Sequence, residues 1–70
     1  MMMLTKVREA AGLTRARLGA LANIHPARVG QFENRRSVPY PVELARIAEA
    51  LAYAGQPDTL LEDADDSGRE

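Results

Sequence analysis

A chain of 70 residues without a single cysteine has few ways to hold a fold together. Neither disulfide bonds nor thiolate metal sites are available, and the single histidine, His25, cannot supply a multi-histidine site. So short a chain also supports only one hydrophobic core. We therefore expect one small domain that is held by apolar packing, helped by oligomerisation, and free of metals and other cofactors.

The net charge of -1 averages over two unlike parts of the chain. Residues 1–57 carry eight Lys and Arg against four Asp and Glu, a net charge of +4, whereas residues 58–70 carry a net charge of -5. The overall charge therefore does not exclude a nucleic-acid partner for the basic body. From Asp63 onward the residues are mostly acidic or small. This composition predicts a domain over residues 1–62 and a disordered tail over residues 63–70.

No run of about 18 apolar residues occurs, and the first residues lack the apolar stretch and cleavage site of a signal peptide. We therefore expect a soluble protein of the cytoplasm without a membrane partner. The chain also has no nucleophile paired with a base, no metal cluster and no phosphate-binding loop motif. An enzyme is not expected.

Apolar residues recur at helical spacing in four stretches and, more briefly, in a fifth. The pattern predicts α-helices over residues 3–11, 15–22, 26–33 and 41–52, with a short fifth helix near residue 60. Thr14 is a good N-cap, Asn23 tolerates a positive φ, and Pro26 suits a first helical position. No stretch alternates polar and apolar residues as a strand does. We therefore predict an all-α fold of five short helices.

The stretch over residues 13–39, LTRARLGALANIHPARVGQFENRRSVP, resembles the helix-turn-helix of the XRE or Cro/repressor family, which includes the lambdoid phage repressors. The likeness extends over about two thirds of the chain, from Leu4 to Leu51. Its features are Gly12-Leu13-Thr14, Leu18 beside Gly19, the turn Asn23-Ile24, Val29, Phe32-Glu33, Pro39, and then Leu44, Ile47, Ala48 and Leu51. Two such helices cross at about 90 to 120° over a short turn, and Gly19 is small enough for their closest approach.

This resemblance implies a lambda-repressor-like domain whose helix over residues 26–33 lies in the major groove of double-stranded DNA. It implies a sequence-specific transcriptional regulator, a small Cro-like repressor that binds as a homodimer with its two recognition helices about 34 Å apart. Two other functions stay open. The chain could be an antitoxin that binds both its own operator and a toxin, or an interaction module that has lost DNA binding.

The resemblance also implies roles for single residues. Arg8 and Glu33 occupy the positions of a partly buried ion pair that joins the first helix to the third. Phosphate contacts are implied at four positions, Arg15, Asn34, Arg35 and Arg36.

On the helix over residues 26–33, a glutamine such as Gln31 can contact adenine N6 and N7 together, and Arg28 is expected to reach a phosphate or a guanine. Pro26 and Ala27 stand where relatives carry polar side chains, and they can contact at most a thymine methyl group.

Three further residues leave alternatives open. Gly30 either allows a close approach to the groove or is a tolerated exposed glycine, which costs about 1 kcal/mol relative to alanine inside a helix. Leu21 is either a leucine at the core edge or a contact with another chain. His25 is expected to be a capping or turn residue rather than a ligand or a base-reading residue.

Overall fold

The computed structural model describes residues 1–64, and its regular elements in that range are helical. Its helices are α1 Met3–Ala10, α2 Arg15–Ala22, α3 Pro26–Glu33 and α4 Pro41–Ala50, followed by a 3₁₀ helix Pro57–Leu61. The predicted all-α fold is confirmed, except that the fifth element is a 3₁₀ helix. It spans only five residues, and 3₁₀ geometry is used in such short pieces. Within residues 1–64, none of the helices has the length and apolar character needed to cross a membrane.

The helices begin where capping groups satisfy free backbone amides. The Thr14 hydroxyl accepts a hydrogen bond from the amide of Arg17 at 3.0 Å, which caps α2. His25 Nδ1 accepts from the amide of Ala27 at 3.1 Å, which caps α3, and His25 is therefore a capping residue as the sequence predicted. These caps fix α2 and α3 at the bounds predicted from the sequence.

Three helices end in the same way, with the backbone entering the left-handed region one residue past the cap. These residues are Gly12 after α1, Arg35 after α3 and Ala52 after α4, with φ values of 74°, 60° and 52°. At each end two amides donate back into the last turn, the pattern of a Schellman motif. The early left-handed turns are also why α1 and α4 end before the predicted residues 11 and 52.

The core lies where α2, α3 and α4 meet the first helix and the 3₁₀ helix. Its largest fully buried side chains come from all five elements: Phe32, Leu4, Leu18, Ile47, Leu60 and Val29. The buried apolar residues are Leu18 and Ala22 on α2 and Val29 and Phe32 on α3, whereas Leu21 lies outside the core. The remaining faces of α2 and α3 are left for solvent or a partner.

The two ends of the described chain lie side by side. Met2 and Asp63 form an isolated antiparallel bridge, and the amide of Ala64 donates to the carbonyl of Met1 at 2.7 Å. The sequence predicted a tail from Asp63 onward, but the structure holds Asp63 and Ala64 against the N-terminus, because the buried Met2 gives this segment an apolar surface to cover. The rest of the predicted tail, residues 65–70, lies outside the described residues.

Candidate nucleic-acid interface

The turn between α2 and α3 brings the two helices into close contact. A Cβ atom at Gly19 would lie only 2.4 Å from the carbonyl oxygen of Ile24, so no larger residue fits there without a shift of the backbone. Asn23 holds the left-handed conformation with φ 60° and ψ 47°, and the Ile24 amide donates to the Gly19 carbonyl at 2.8 Å. The turn residues therefore fix the angle at which α3 leaves α2.

One face of α3 is exposed, whereas the opposite face is buried in the core. Ala27 and Gln31 are exposed and lie one helical turn apart, and Asn34 follows at the next turn. Pro26 is exposed beside Ala27 at the first turn. Three of the DNA-binding residues predicted from the sequence thus share a single exposed face on or directly after α3, and Pro26 lies at its N-terminal edge.

Arg8 and Glu33 form the ion pair that the sequence predicted between α1 and α3. Arg8 Nε donates to one carboxylate oxygen of Glu33 at 2.6 Å and its Nη2 donates to the other at 3.2 Å, while Nη1 donates to the Leu13 carbonyl at 2.8 Å. The Glu33 side chain is only 1% exposed and that of Arg8 is 11% exposed. The hydrogen bonds with Glu33 raise the pKa of Arg8.

Arg15 shares the same carboxylate. Its Nε donates to Glu33 at 2.9 Å, yet the side chain stays 46% exposed. The guanidinium passes over Gly30, where an added Cβ atom would meet Arg15 Nη1 at 3.5 Å. Gly30 is therefore buried beneath Arg15 and is not an exposed glycine, whereas its close approach to the groove stays a prediction.

The Arg28 side chain is 31% exposed and is held against α4 by an ion pair. Its Nε and Nη2 each donate to a different carboxylate oxygen of Glu43, both at 2.8 Å. The guanidinium also sits over the rings of Phe32 and Tyr40, 4.9 and 5.4 Å from their centroids. The structure pairs this arginine with Glu43, because the first turn of α4 places that carboxylate beside α3, and the phosphate contact favoured from the sequence stays a prediction.

Glu43 is a residue whose role the sequence analysis missed. Hydrogen bonds from Arg28 and from the amide of Tyr40 lower its pKa from 4.5 to about 2. The spacing of a carboxylate three residues after the Tyr40 cap, with Pro41 at the first helical position, is typical of a helix N-terminus and was the available signal.

The two arginines after α3 differ in their surroundings. Arg35, in the left-handed turn, donates from Nη2 to the Asp63 carboxylate at 2.5 Å. Arg36 is exposed and forms no ion pair with any of residues 1–64. Arg36 is therefore the more available of the two for an outside anion.

A shallow hollow of about 350 Å³ lies beside the turn and is lined by small side chains of α2 and by the start of α3, among them Ala16, Ala20 and Pro26. Leu21 on α2 is 56% exposed, so it is not the core-edge leucine that the sequence allowed. No group of three or more His, Cys, Asp or Glu side chains within residues 1–64 is arranged to hold a metal ion.

A short helix, a tight left-handed turn and a second helix with one exposed face together define a helix-turn-helix protein. Comparison with protein families agrees, because the model of a family described as a helix-turn-helix domain matches residues 3–62. The chain belongs to this family, which supports the DNA-binding, XRE-like type that the sequence predicted. The comparisons with curated proteins and with solved structures each returned no significant match.

Proposed function

We propose that this protein is a sequence-specific transcriptional regulator that acts in the cytoplasm by binding double-stranded DNA rather than by catalysis. The exposed face of α3 enters the major groove, where Ala27 and Gln31 reach base edges. A homodimer places two copies of α3 in successive major grooves, about 34 Å apart. The bound protein blocks transcription and is thus a small repressor.

The observation that carries this proposal is the position of α3 between cationic side chains. Its exposed face is flanked by the half-exposed Arg15 on one side and is followed by Arg36 at its C-terminal end. Cationic side chains that flank a reading helix hold the two DNA backbones and set the register of the helix. The buried Glu33 holds Arg15 in this place, so this one holding group is oriented before DNA binds.

The test begins with selection of bound duplexes from a random pool, followed by gel shifts with the selected site against random DNA. We expect one enriched site with twofold symmetry and a complex of two protein chains per site. Placed over a promoter in a reporter strain, the site should lower expression when the protein is present. Enrichment of no sequence would contradict the proposal, and raised expression would contradict repression.

A further inference from the structure

We propose that the first turn of α3 recognises the C5-methyl group of a pyrimidine in the major groove, which is the methyl of thymine or of 5-methylcytosine. This inference rests on the proposed function and names the chemical feature that the same site selects. The predicted site thus contains a C5-methylated pyrimidine next to the base contacted by Gln31, rather than a guanine read by an arginine.

The backbone of the first turn of α3 offers no free hydrogen-bond donor to a base. Pro26 has no amide hydrogen, and the Ala27 amide donates to His25 Nδ1 at 3.1 Å. The amides of Arg28 and Val29 both donate to the His25 carbonyl, at 2.9 and 3.3 Å. Apart from the His25 imidazole at the cap and the Arg28 side chain, this turn therefore presents the ring of Pro26 and the methyl group of Ala27, both exposed.

Carboxylates already engage three arginines near α3, whereas the exposed Arg36 follows the C-terminal end of the helix, away from its first turn. Arg28 gives two hydrogen bonds to Glu43, Arg15 is bound to Glu33, and Arg35 is bound to Asp63. The bidentate contact of an arginine with guanine O6 and N7 would require Arg28 to leave a carboxylate that it contacts at 2.8 Å on both oxygens. Guanine recognition by this helix is therefore disfavoured.

An apolar turn complements the one apolar group on the floor of the major groove. Thymine carries a C5-methyl group there, and 5-methylcytosine presents the same group at the same position. The hollow beside Pro26, lined by Ala16 and Ala20, extends the apolar surface towards α2. Because Gln31 lies one turn after Ala27 on the same face, an adenine contact falls beside the methyl contact.

The experiment uses the whole protein and the duplex selected from a random pool. Each thymine of the site is replaced in turn by deoxyuridine, which removes only the methyl group. We expect a loss of about fourfold in affinity at one or two positions per half-site, which is what burial of one carbon unit contributes. When cytosine replaces the thymine at such a position, 5-methylation of that cytosine should raise the affinity by a similar factor.

A double variant, Pro26→Ser with Ala27→Ser, tests the assignment to these two residues. Its affinities for the thymine and deoxyuridine duplexes should differ by less than twofold. The control Ala45→Ser, at an exposed position of α4, should keep the full difference in affinity. Melting curves of each variant verify the fold.

If the wild-type protein bound the thymine and deoxyuridine duplexes with equal affinity at every position, methyl recognition would be overturned. The proposed function as a transcriptional regulator would not be affected. A double variant that keeps the full difference would overturn the assignment to this turn. Failure to enrich any duplex would overturn the proposed function itself, and the inference with it.

Discussion

Glu33 is a buried carboxylate on α3 that is shared by two arginines from other helices. It is 1% exposed and accepts hydrogen bonds from two arginines, Arg8 at 2.6 Å and Arg15 at 2.9 Å. A carboxylate that is removed from water needs its charge compensated. The guanidinium groups of Arg8 and Arg15 together compensate the charge of Glu33. One residue thereby joins α1 to α3 and orients the side chain that we propose to hold DNA.

We predict that Glu33→Ala lowers the free energy of unfolding by about 3–5 kcal/mol, because it leaves the buried Arg8 without its partner. Arg8→Ala should also destabilise the protein, but by less, because Arg15 still donates to Glu33. Urea denaturation measures this loss. Replacing both residues by apolar ones of similar size should cost much less. The matched control is Glu9→Ala, whose carboxylate lies 3.8 Å from Arg8 but is 55% exposed, and the expected loss there is below about 1 kcal/mol. A melting temperature within one degree of wild type for either single variant would contradict the prediction.

The sequence indicated one of the side-chain ion pairs and missed others. The resemblance to a known family indicated Arg8 and Glu33 as a pair, and the structure brings them together. It did not indicate that Arg15 shares Glu33 or that Arg28 pairs with Glu43. Such pairings depend on the crossing angles of the helices, because residues 15 or more positions apart meet only after the helices have packed, and spacing in the sequence does not specify those angles.

Among the helix ends, that of α4 carries the clearest local strain. Ala52 has φ 52°, a conformation in which the Cβ of an L-residue lies too close to the following carbonyl. The Schellman hydrogen bonds hold it there, with the amides of Ala52 and Tyr53 donating to Glu49 and Ala48. Glycine is the usual residue at this position of the motif.

We predict that Ala52→Gly raises the free energy of unfolding by about 1 kcal/mol, since relief of the left-handed strain exceeds the added entropy of the unfolded chain. Thermal and urea denaturation measure the gain. Ala54→Gly is the control, because Ala54 is also exposed but does not have a positive φ, and it should destabilise the protein slightly. A loss of stability in Ala52→Gly would show that the helix end tolerates alanine without strain.

The link between α3 and α4 predicts a dependence of stability on pH. Arg28 lowers the pKa of Glu43 from 4.5 to about 2, so the folded protein binds this proton more weakly than the unfolded chain does. The stabilisation is complete above pH 4.5 and is lost as the pH falls towards 2.

Glu43→Gln should therefore destabilise the protein at neutral pH and flatten its loss of stability between pH 4.5 and 2. Urea denaturation at a series of pH values measures both effects. Glu49→Gln, an exposed carboxylate on the same helix, should leave the profile as it is in the wild type. A Glu43→Gln profile parallel to that of the wild type would rule out this carboxylate as the source.

The elements themselves were largely predictable, for physical reasons that differ from helix to helix. Thr14, Asn23 and Pro26 mark the ends of α2 and α3 chemically, so those bounds could be placed from the sequence. The end of α4 could not, because nothing about Ala52 in isolation favours a left-handed turn. The 3₁₀ geometry of Pro57–Leu61 was likewise hidden, since a few apolar residues fit either kind of helix.

Over the whole molecule, the proposed interface separates groups that read DNA from groups that hold it. Gln31→Ala should lower affinity for the selected site by about 1–3 kcal/mol and leave random DNA almost unaffected, because a glutamine reads a base edge. Arg36→Ala should weaken every sequence alike and reduce the slope of log affinity against log salt by about 0.9, and Arg15→Ala should do the same.

Competition binding across a salt series measures both kinds of effect. Lys6→Ala, an exposed cation on α1, is the control for the loss of one positive charge away from α3. If Gln31→Ala weakened selected and random DNA equally, α3 would not read sequence through that residue.

The contact between the two ends of residues 1–64 makes the described chain nearly a closed circle, with the Ala64 amide 2.7 Å from the Met1 carbonyl. A short glycine linker can join these ends without stretching the backbone, and the exposed turn at Gly55 offers a place to open new ones. The resulting circular permutant would begin at the 3₁₀ helix and end at α4. The termini of the permutant would lie at the turn near Gly55. Fusion partners attached there would not extend from the segment that contacts Arg35.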